Sequence, residues 1–302
     1  MTDGKYRPAW WVPGRHLQTI WGKFVPRAGG GATHVERWDT PDDDFLDIHR
    51  LDPPVAAPHT RPRLVLLHGL EGSPRSHYVR SFLAEASRRG WAADVIVFRS
   101  CGSELNRAER FYHSGETTDL DFVVRSLAEN EPDRPLVLAG VSLGGNVLLK
   151  WLGERGSEIP QQVVAGAAIS VPFDLERGAR YIDRGFARVY QARFMKTLRV
   201  KAHAKLLRYP GIVDPAAVDR ARSLYEFDDC VTAPVHGFRD AHDYYTRSSA
   251  IRWIDRIRTP TLLLSARDDP FIPPEVLEEV ERIADKNPFL TAEFVEHGGH
   301  AG

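Results

Sequence analysis

The sequence is poor in cysteine, with two in 302 residues, Cys101 and Cys230. Two thiols build no disulfide framework, and neither sits in a CxxC or other metal-ligand spacing. A reducing compartment fits that usage. Long apolar runs are missing as well, and nothing approaches the ~20 residues of a membrane span. The N-terminus, Met1 to Trp11, lacks a basic segment followed by an apolar stretch, so no signal peptide is read there. Charge of one sign is also absent: 40 Lys and Arg stand against 41 Asp and Glu, a formal −1. No bulk field then draws the chain to nucleic acid or to an anionic membrane. A soluble, cytoplasmic protein with no nucleic-acid partner and no membrane span is expected. There is no internal repeat and no low-complexity tract.

What is present is ordinary for a globular chain, with 42% hydrophobic and 27% charged residues. The length suits one large α/β domain, 1–302, able to carry an inserted lobe. The first thirty residues are rich in aromatics, proline and glycine, ending in Gly29-Gly30-Gly31. Two alternating runs, Thr33–Trp38 and Phe45–Leu51, flank Thr40-Pro41-Asp42-Asp43-Asp44 and predict an antiparallel pair at a sheet edge. A proline-rich linker, Pro53 to Pro62, follows. The pattern then changes. Leu64–Leu67, Val95–Phe98, Leu136–Ala139, Val163–Ser170, Thr261–Ser265 and Thr291–Glu296 are short apolar runs, as expected of strands buried on both faces. Between them Val79, Phe82, Leu83 and Ala86 have helical spacing, as do Leu120, Val123, Val124 and Leu127, and Leu277, Val280 and Ala284. Alternation of strand and helix predicts a mostly parallel central sheet flanked by helices.

That alternation breaks between Val171 and Trp253, where an inserted helical cap is expected. Arg177, Arg180, Arg184, Arg188 and Arg193 interleave there with Tyr181, Phe186, Tyr190 and Phe194. Such a stretch suits an anionic ligand, but the plainer reading is a helical lobe with a solvated arginine face.

Gly140-Val141-Ser142-Leu143-Gly144 matches G-x-S-x-G between a strand and a helix, the context of a nucleophile elbow. Small residues at 140 and 144 let the backbone turn tightly and hold Ser142 at the positive end of the helix. A serine hydroxyl needs an adjacent base. In this fold the order is serine, acid, histidine. His300, in Gly298-Gly299-His300 after the last strand, is the expected base, with His297 as competitor. Asp268 and Asp269 follow the strand Thr261–Ser265, and both fit the acid. Asp269 is favoured because the acid of this fold commonly sits four residues before a proline such as Pro273. Asp268 would then make local turn hydrogen bonds. The loop His68-Gly69-Leu70-Glu71-Gly72 is placed to supply one oxyanion amide, assigned to Leu70, with Leu143 supplying the other. His68 is read as bracing that loop.

These motifs, with Pro13-Gly14-Arg15-His16-Leu17-Gln18-Thr19, Tyr112-His113-Ser114-Gly115-Glu116-Thr117, Asn146, Phe227-Asp228-Asp229 and Asp268-Asp269-Pro270-Phe271, resemble the YheT-like branch of the α/β hydrolases. That branch is related to the eukaryotic ABHD1/ABHD3-type enzymes. The resemblance covers most of the chain and implies the α/β-hydrolase fold. It also implies a triad of Ser142, Asp269 and His300, and carboxylic-ester hydrolysis on short- to medium-chain acyl substrates without a cofactor. The expected partner is a small-molecule ester or lipid-like acyl substrate. The mechanism would run through an acyl-enzyme. Acyl transfer on the same triad and a non-catalytic binding role on the same scaffold are the alternatives. This fold normally adds a helix after the histidine loop, and the chain ends at Gly302, so unusual packing or a truncated chain is expected there.

Other polar groups are read more plainly. His113–Thr117 either positions substrate or caps the helix near Asp119. His236, Asp240, His242 and Asp243 match no standard metal site, and no metal is expected. Cys101 follows a strand, and no basic partner identifies it as reactive. His16–Thr19 either closes over the site or pins the N-terminal arm.

Overall fold

The computed structural model describes residues 9–25, 32–54 and 60–301. Gly29–Gly31, the middle of the Pro53–Pro62 linker and Gly302 lie outside them. After a short helix α1 (Arg15–Trp21) come β1 (His34–Asp39) and β2 (Phe45–Leu51), which pair antiparallel with Trp38 opposite Leu46. This is the edge pair that the two alternating runs predict. Next in the chain are β3 (Arg63–Leu67), α2 (His77–Arg89), β4 (Ala92–Val97), α3 (Thr118–Asn130), β5 (Leu136–Val141), α4 (Leu143–Arg155) and β6 (Val163–Ile169). The sheet closes with β7 (Thr261–Ala266), a helix over Pro274–Ala284, and β8 (Leu290–Val295). Its order is β1-β2-β4-β3-β5-β6-β7-β8. β2 runs antiparallel to β4, and every pair from β4 to β8 is parallel.

The apolar runs are continuous because both sheet faces are covered, and successive side chains divide between them. Leu64 and Leu66 pack with Val79, Leu83 and Ala86 of α2. Val65 and Leu67 point the other way, into the cluster holding Leu120 and Val123 of α3 and Val147 and Leu148 of α4. α4 is buried at every position from Leu143 to Gly153, with Asn146 bonded to Ser114 O and Ser248 O and Lys150 paired with Glu154 among otherwise apolar or small side chains. Each leucine or valine it buries contributes about 1.5–3 kcal/mol. Trp151 is fully buried on it and donates Nε1–H to Asp121 at 2.9 Å. The serine that precedes this helix is thus mounted on a deeply enclosed element of the fold.

Between β6 and β7 the described chain forms no strand. It forms α5 (Leu175–Ile182), α6 (Arg188–Arg208), α7 (Pro215–Arg220), α8 (Leu224–Phe227), a π-helical turn Asp228–Thr232, α9 (Ala233–Val235) and α10 (Ala241–Ser248). The helix after β7 is therefore α11. This insert has a small core of its own, where Met195, Leu198 and Ala202 meet Val218, Phe227 and Val231. Some of its arginines pair with acids, Arg177 with Asp174 and Glu279, and Arg180 with Glu176. Phe186 is an aromatic of this stretch that the fold does not bury. It is 56% exposed and rests against the His16 ring at 4.6 Å.

The Asp42–Asp44 turn does more than reverse the chain. Arg99, buried just past β4, binds Asp42, Asp44 and Asp119 at 2.7–2.8 Å, tying the β1–β2 turn to α3. Among the described residues no helix is long and apolar enough to cross a membrane.

Candidate active site

The loops that follow β3, β5, β6, β7 and β8 meet at one end of the sheet, the carboxyl end of its parallel strands, where open α/β sheets bind ligands. Ser142 stands at the sharpest turn. Its φ of 55° and ψ of −120° lie where side chains other than glycine are rarely found. The sequence permits the turn because its neighbours lack Cβ. A Cβ at Gly140 would lie 2.4 Å from Gly144 O, and one at Gly144 would lie 2.5 Å from His68 O. The Ser142 N–H donates to Ile169 O at 2.8 Å, which pins the turn to β6.

The two aspartates after β7 serve different partners. Asp269 Oδ2 lies 2.8 Å from His300 Nδ1, and its Oδ1 accepts the Phe271 N–H at 2.8 Å. Asp269 is 1% exposed. Burial pushes its carboxyl above the ordinary aspartate range, against the pull of His300 and the Phe271 amide. A proton on His300 Nδ1, held by Asp269, leaves Nε2 as an acceptor. Asp268 does not make the local turn bonds expected of it. It reaches across to the histidine loop, accepting the N–H groups of Gly298 and Gly299 at 3.0 Å each, and faces His297 Nδ1 at 3.2 Å. His297 is thereby placed on Asp268 and His300 on Asp269.

The histidine loop is held from the N-terminal arm as well. Thr19 Oγ accepts the His300 N–H at 2.9 Å and donates to Arg15 O at 2.7 Å. Gly299 takes a positive φ of 64°, and a Cβ there would lie 2.5 Å from Arg15 O. Ala301 N–H reaches Ser170 Oγ at 3.1 Å. Of the two readings of His16–Thr19, these contacts fit the one in which the segment pins the N-terminal arm, here against the histidine loop. Thr19 is a site residue that sequence reasoning missed, and the only signal was its place in the Pro13–Thr19 motif.

On the other side of Ser142, the loop after β3 approaches closely enough that a Cβ on Gly69 would lie 3.2 Å from Ser142 Cβ. His68 braces it. Its Nε2 accepts the Phe98 N–H at 3.2 Å, so its Nδ1 carries the proton given to Gly69 O at 2.8 Å. Full burial lowers this imidazole to a pKa of about 4 and keeps it neutral. Tyr78 and Tyr112 hydroxyls take the N–H groups of Gly69 and Glu71. Among the described residues, the N–H groups of Leu70 and Leu143 have no acceptor.

Two cavities share Ser142, Leu70, Phe194, Phe271 and His300 as walls. The first, about 120 Å³, is mainly apolar and lined by Leu175, Ile182, Leu198, Leu224 and Phe227 of the insert. Asp228 also lines it, its carboxyl pushed up to about 6 by burial against the hydroxyls of Thr232 and Tyr245. The second, about 460 Å³, is bordered by Lys23, Arg75, Arg80, Tyr190 and Arg193. No hydrogen bond joins Ser142 Oγ to His300; such contacts are often loose until substrate arrives.

The remaining candidates have separate duties. Glu116 accepts the Thr118 N–H at the start of α3, while His113 and Ser114 line the apolar cavity. His236 lies against the Phe111 and His113 rings, Asp240 caps α10, His242 pairs with Glu176, and Asp243 with Arg239. These four do not converge. Cys101 does have a basic neighbour, Lys201 Nζ at 3.2 Å, which the sequence hid. Burial still raises its thiol to about 11.

The alpha/beta hydrolase family model matches residues 64–302. The chain is 39% identical to the putative esterase YheT of Escherichia coli (strain K12), covering 95% of this chain and 83% of that protein. It is 31% identical to mouse phospholipase ABHD3, covering 80% of this chain but only 58% of that longer protein. Among solved structures, the Pyrococcus furiosus esterase Pf2001 superposes with a TM-score of 0.58 at 18% identity, covering 89% of this chain and 84% of that one.

Proposed function

The chain belongs to the α/β hydrolase family, in its YheT–ABHD3 branch of esterases and lipases, and on that premise we propose that Ser142, His300 and Asp269 hydrolyse carboxylic esters. The observation that carries the reading is the buried His300 Nδ1 to Asp269 Oδ2 contact of 2.8 Å beside a serine held at a φ of 55°. Ser142 Oγ attacks the ester carbonyl and His300 Nε2 takes its proton. Asp269 fixes the imidazole tautomer and stabilises the imidazolium. The Leu70 and Leu143 amides, free of other acceptors, hold the oxyanion, each worth about 3–4 kcal/mol in other hydrolases. His300 then protonates the leaving alcohol, and water repeats the sequence to release the acid.

The Val171–Trp253 segment acts as a helical cap. Its apolar side chains wall the smaller cavity, which suits the acyl chain, because ester specificity needs apolar walls beside a few polar groups. Short to medium acyl chains are the substrates this reading favours. The test is labelling by a fluorophosphonate probe, which should modify Ser142 and fail on a folded Ser142→Ala variant. Labelling that persists in the alanine variant would sink the assignment.

A further inference from the structure

The loop that carries Leu70 is gripped by a charged pair that the triad chemistry does not use. Lys201 lies on α6, in the insert, and its Nζ sits 2.6 Å from Glu71 Oε1. Both side chains are largely enclosed, at 21% and 10% exposure. Tyr112 closes the unit. Its hydroxyl donates to Glu71 Oε1 at 2.7 Å and accepts the Glu71 N–H at 3.0 Å. Glu71 itself has a φ of 54°, the left-handed region that favours glycine, so this backbone needs outside support.

That support falls beside the amide that matters. The Gly69 N–H is held by Tyr78 at 2.9 Å and the Glu71 N–H by Tyr112. With both flanking amides anchored, the direction of the Leu70 N–H between them is set by its neighbours. The Leu70 side chain packs against both the sheet core and the insert cluster containing Leu198 and Ala202. An exposed lysine–glutamate pair would carry little meaning. An enclosed one, joining an insert helix to a strained residue next to the proposed oxyanion donor, is a positioning device.

We propose that Lys201 and Glu71 are positioning residues for the oxyanion hole, acting through the Leu70 amide, so that the insert is part of the catalytic apparatus as well as a pocket wall. The inference rests on the triad reading and on Leu70's part in it. α6 places Phe194 and Leu198 in the acyl cavity and, about one turn further on, holds the loop that stabilises the reacting carbonyl. Oxyanion donors act over a few tenths of an ångström, and a misplacement near 1 Å lowers rates by up to ~10²-fold.

The experiment uses the full chain with Lys201→Met and Glu71→Gln. It reads kcat and KM on a p-nitrophenyl ester, inhibition by an alkyl boronic acid, and the thermal midpoint. The boronate forms a tetrahedral adduct on Ser142 whose oxygen occupies the oxyanion hole. Lys201→Met should lower kcat roughly 10- to 100-fold with KM within about twofold, and weaken the boronate by the factor lost in kcat/KM. Glu71→Gln keeps an oxygen for Lys201 and Tyr112 but gives up the charge, so it should lower kcat too, by a smaller factor than Lys201→Met does. A purely structural pair would shift the thermal midpoint and leave boronate affinity alone. Wild-type kcat and boronate affinity in Lys201→Met overturn the proposal, as does a loss confined to KM. If Lys201→Met does not fold, Lys201→Gln is measured in its place against the same outcomes. A wild-type chain that fluorophosphonate fails to label at Ser142 overturns the triad reading instead, before any Lys201 variant is made.

Discussion

Shortening Leu198 should lengthen the acyl chain that reacts best. Leu198 is 8% exposed and lines the smaller cavity with Ser142 and His300. Leu198→Ala removes three carbons from that wall, space for roughly two to three methylenes of substrate. Each buried methylene contributes about 0.8 kcal/mol, a factor of roughly four in kcat/KM. In the wild type, kcat/KM should climb about fourfold per methylene until the chain meets the wall, then fall. In Leu198→Ala the climb should continue, so an ester two methylenes beyond the wild-type optimum gains roughly fifteenfold relative to it. The substitution also costs about 2–5 kcal/mol of stability, because Leu198 packs with Met195, Phe227 and Val231, so rates are measured well below the variant's melting temperature. Tyr190 is the control. It borders the larger cavity and not the smaller, so Tyr190→Ala should leave the optimum in place. The assay is kcat/KM across p-nitrophenyl esters from acetate to laurate. An unmoved optimum in Leu198→Ala refutes the acyl-pocket assignment, and a shift in Tyr190→Ala places the acyl chain in the other cavity.

The parts of this molecule that read out of the sequence are those whose cause is local. A strand buried on both faces must be apolar at successive positions, so Leu64–Leu67 and Leu136–Ala139 announce themselves. The elbow is local in its motif, and Gly140 answers to Gly144 and Gly145 within a few residues, whereas Gly144 answers to the backbone of Leu67 and His68 at the end of the neighbouring strand. His300 and Asp269 were legible at one remove, through their position after the last two strands. The contacts that hold the site together had no such signal. Thr19 meets His300 across 281 residues, Glu71 meets Lys201 across 130, and Asp268 meets Gly298 across 30. A threonine or a lysine does not specify its partner; the topology that delivers α1 and α6 to the same end of the sheet does. The same reason explains two corrections. Cys101 meets Lys201 only in space, and Asp268, which its sequence context marks as a turn residue, accepts from N–H groups that lie in the next loop. The buried Arg99 cluster was hidden for a different reason, because three aspartates in a turn look like solvent-facing polarity until the arginine is placed among them.

The remaining predictions concern the two acids and the buried cluster. Asp269→Asn should lower kcat by about 10⁴, because its amide would favour the wrong histidine tautomer; steady-state kinetics check this, and near-wild-type kcat would reassign the acid. Asp268→Asn should cost much less, since its oxygen can still accept a glycine N–H from the histidine loop, and a loss equal to that of Asp269→Asn would contradict the separation of their duties. Asp44→Ala should lower stability by about 3–5 kcal/mol, because it leaves Arg99 buried with one partner fewer. Burial alone would raise the Asp44 carboxyl, but hydrogen bonds from Asn106 and the amides of Arg107, Ala108 and Phe45 hold it below the ordinary aspartate value. A carboxyl depressed in the folded state contributes stability that is present above its unfolded pKa of about 3.9 and lost as pH falls through its lower folded value. Urea titrations at descending pH should therefore show the gap between wild type and Asp44→Ala closing below about pH 4. A gap that stays constant down to the acid transition would mean that Asp44 acts through packing and not through its charge.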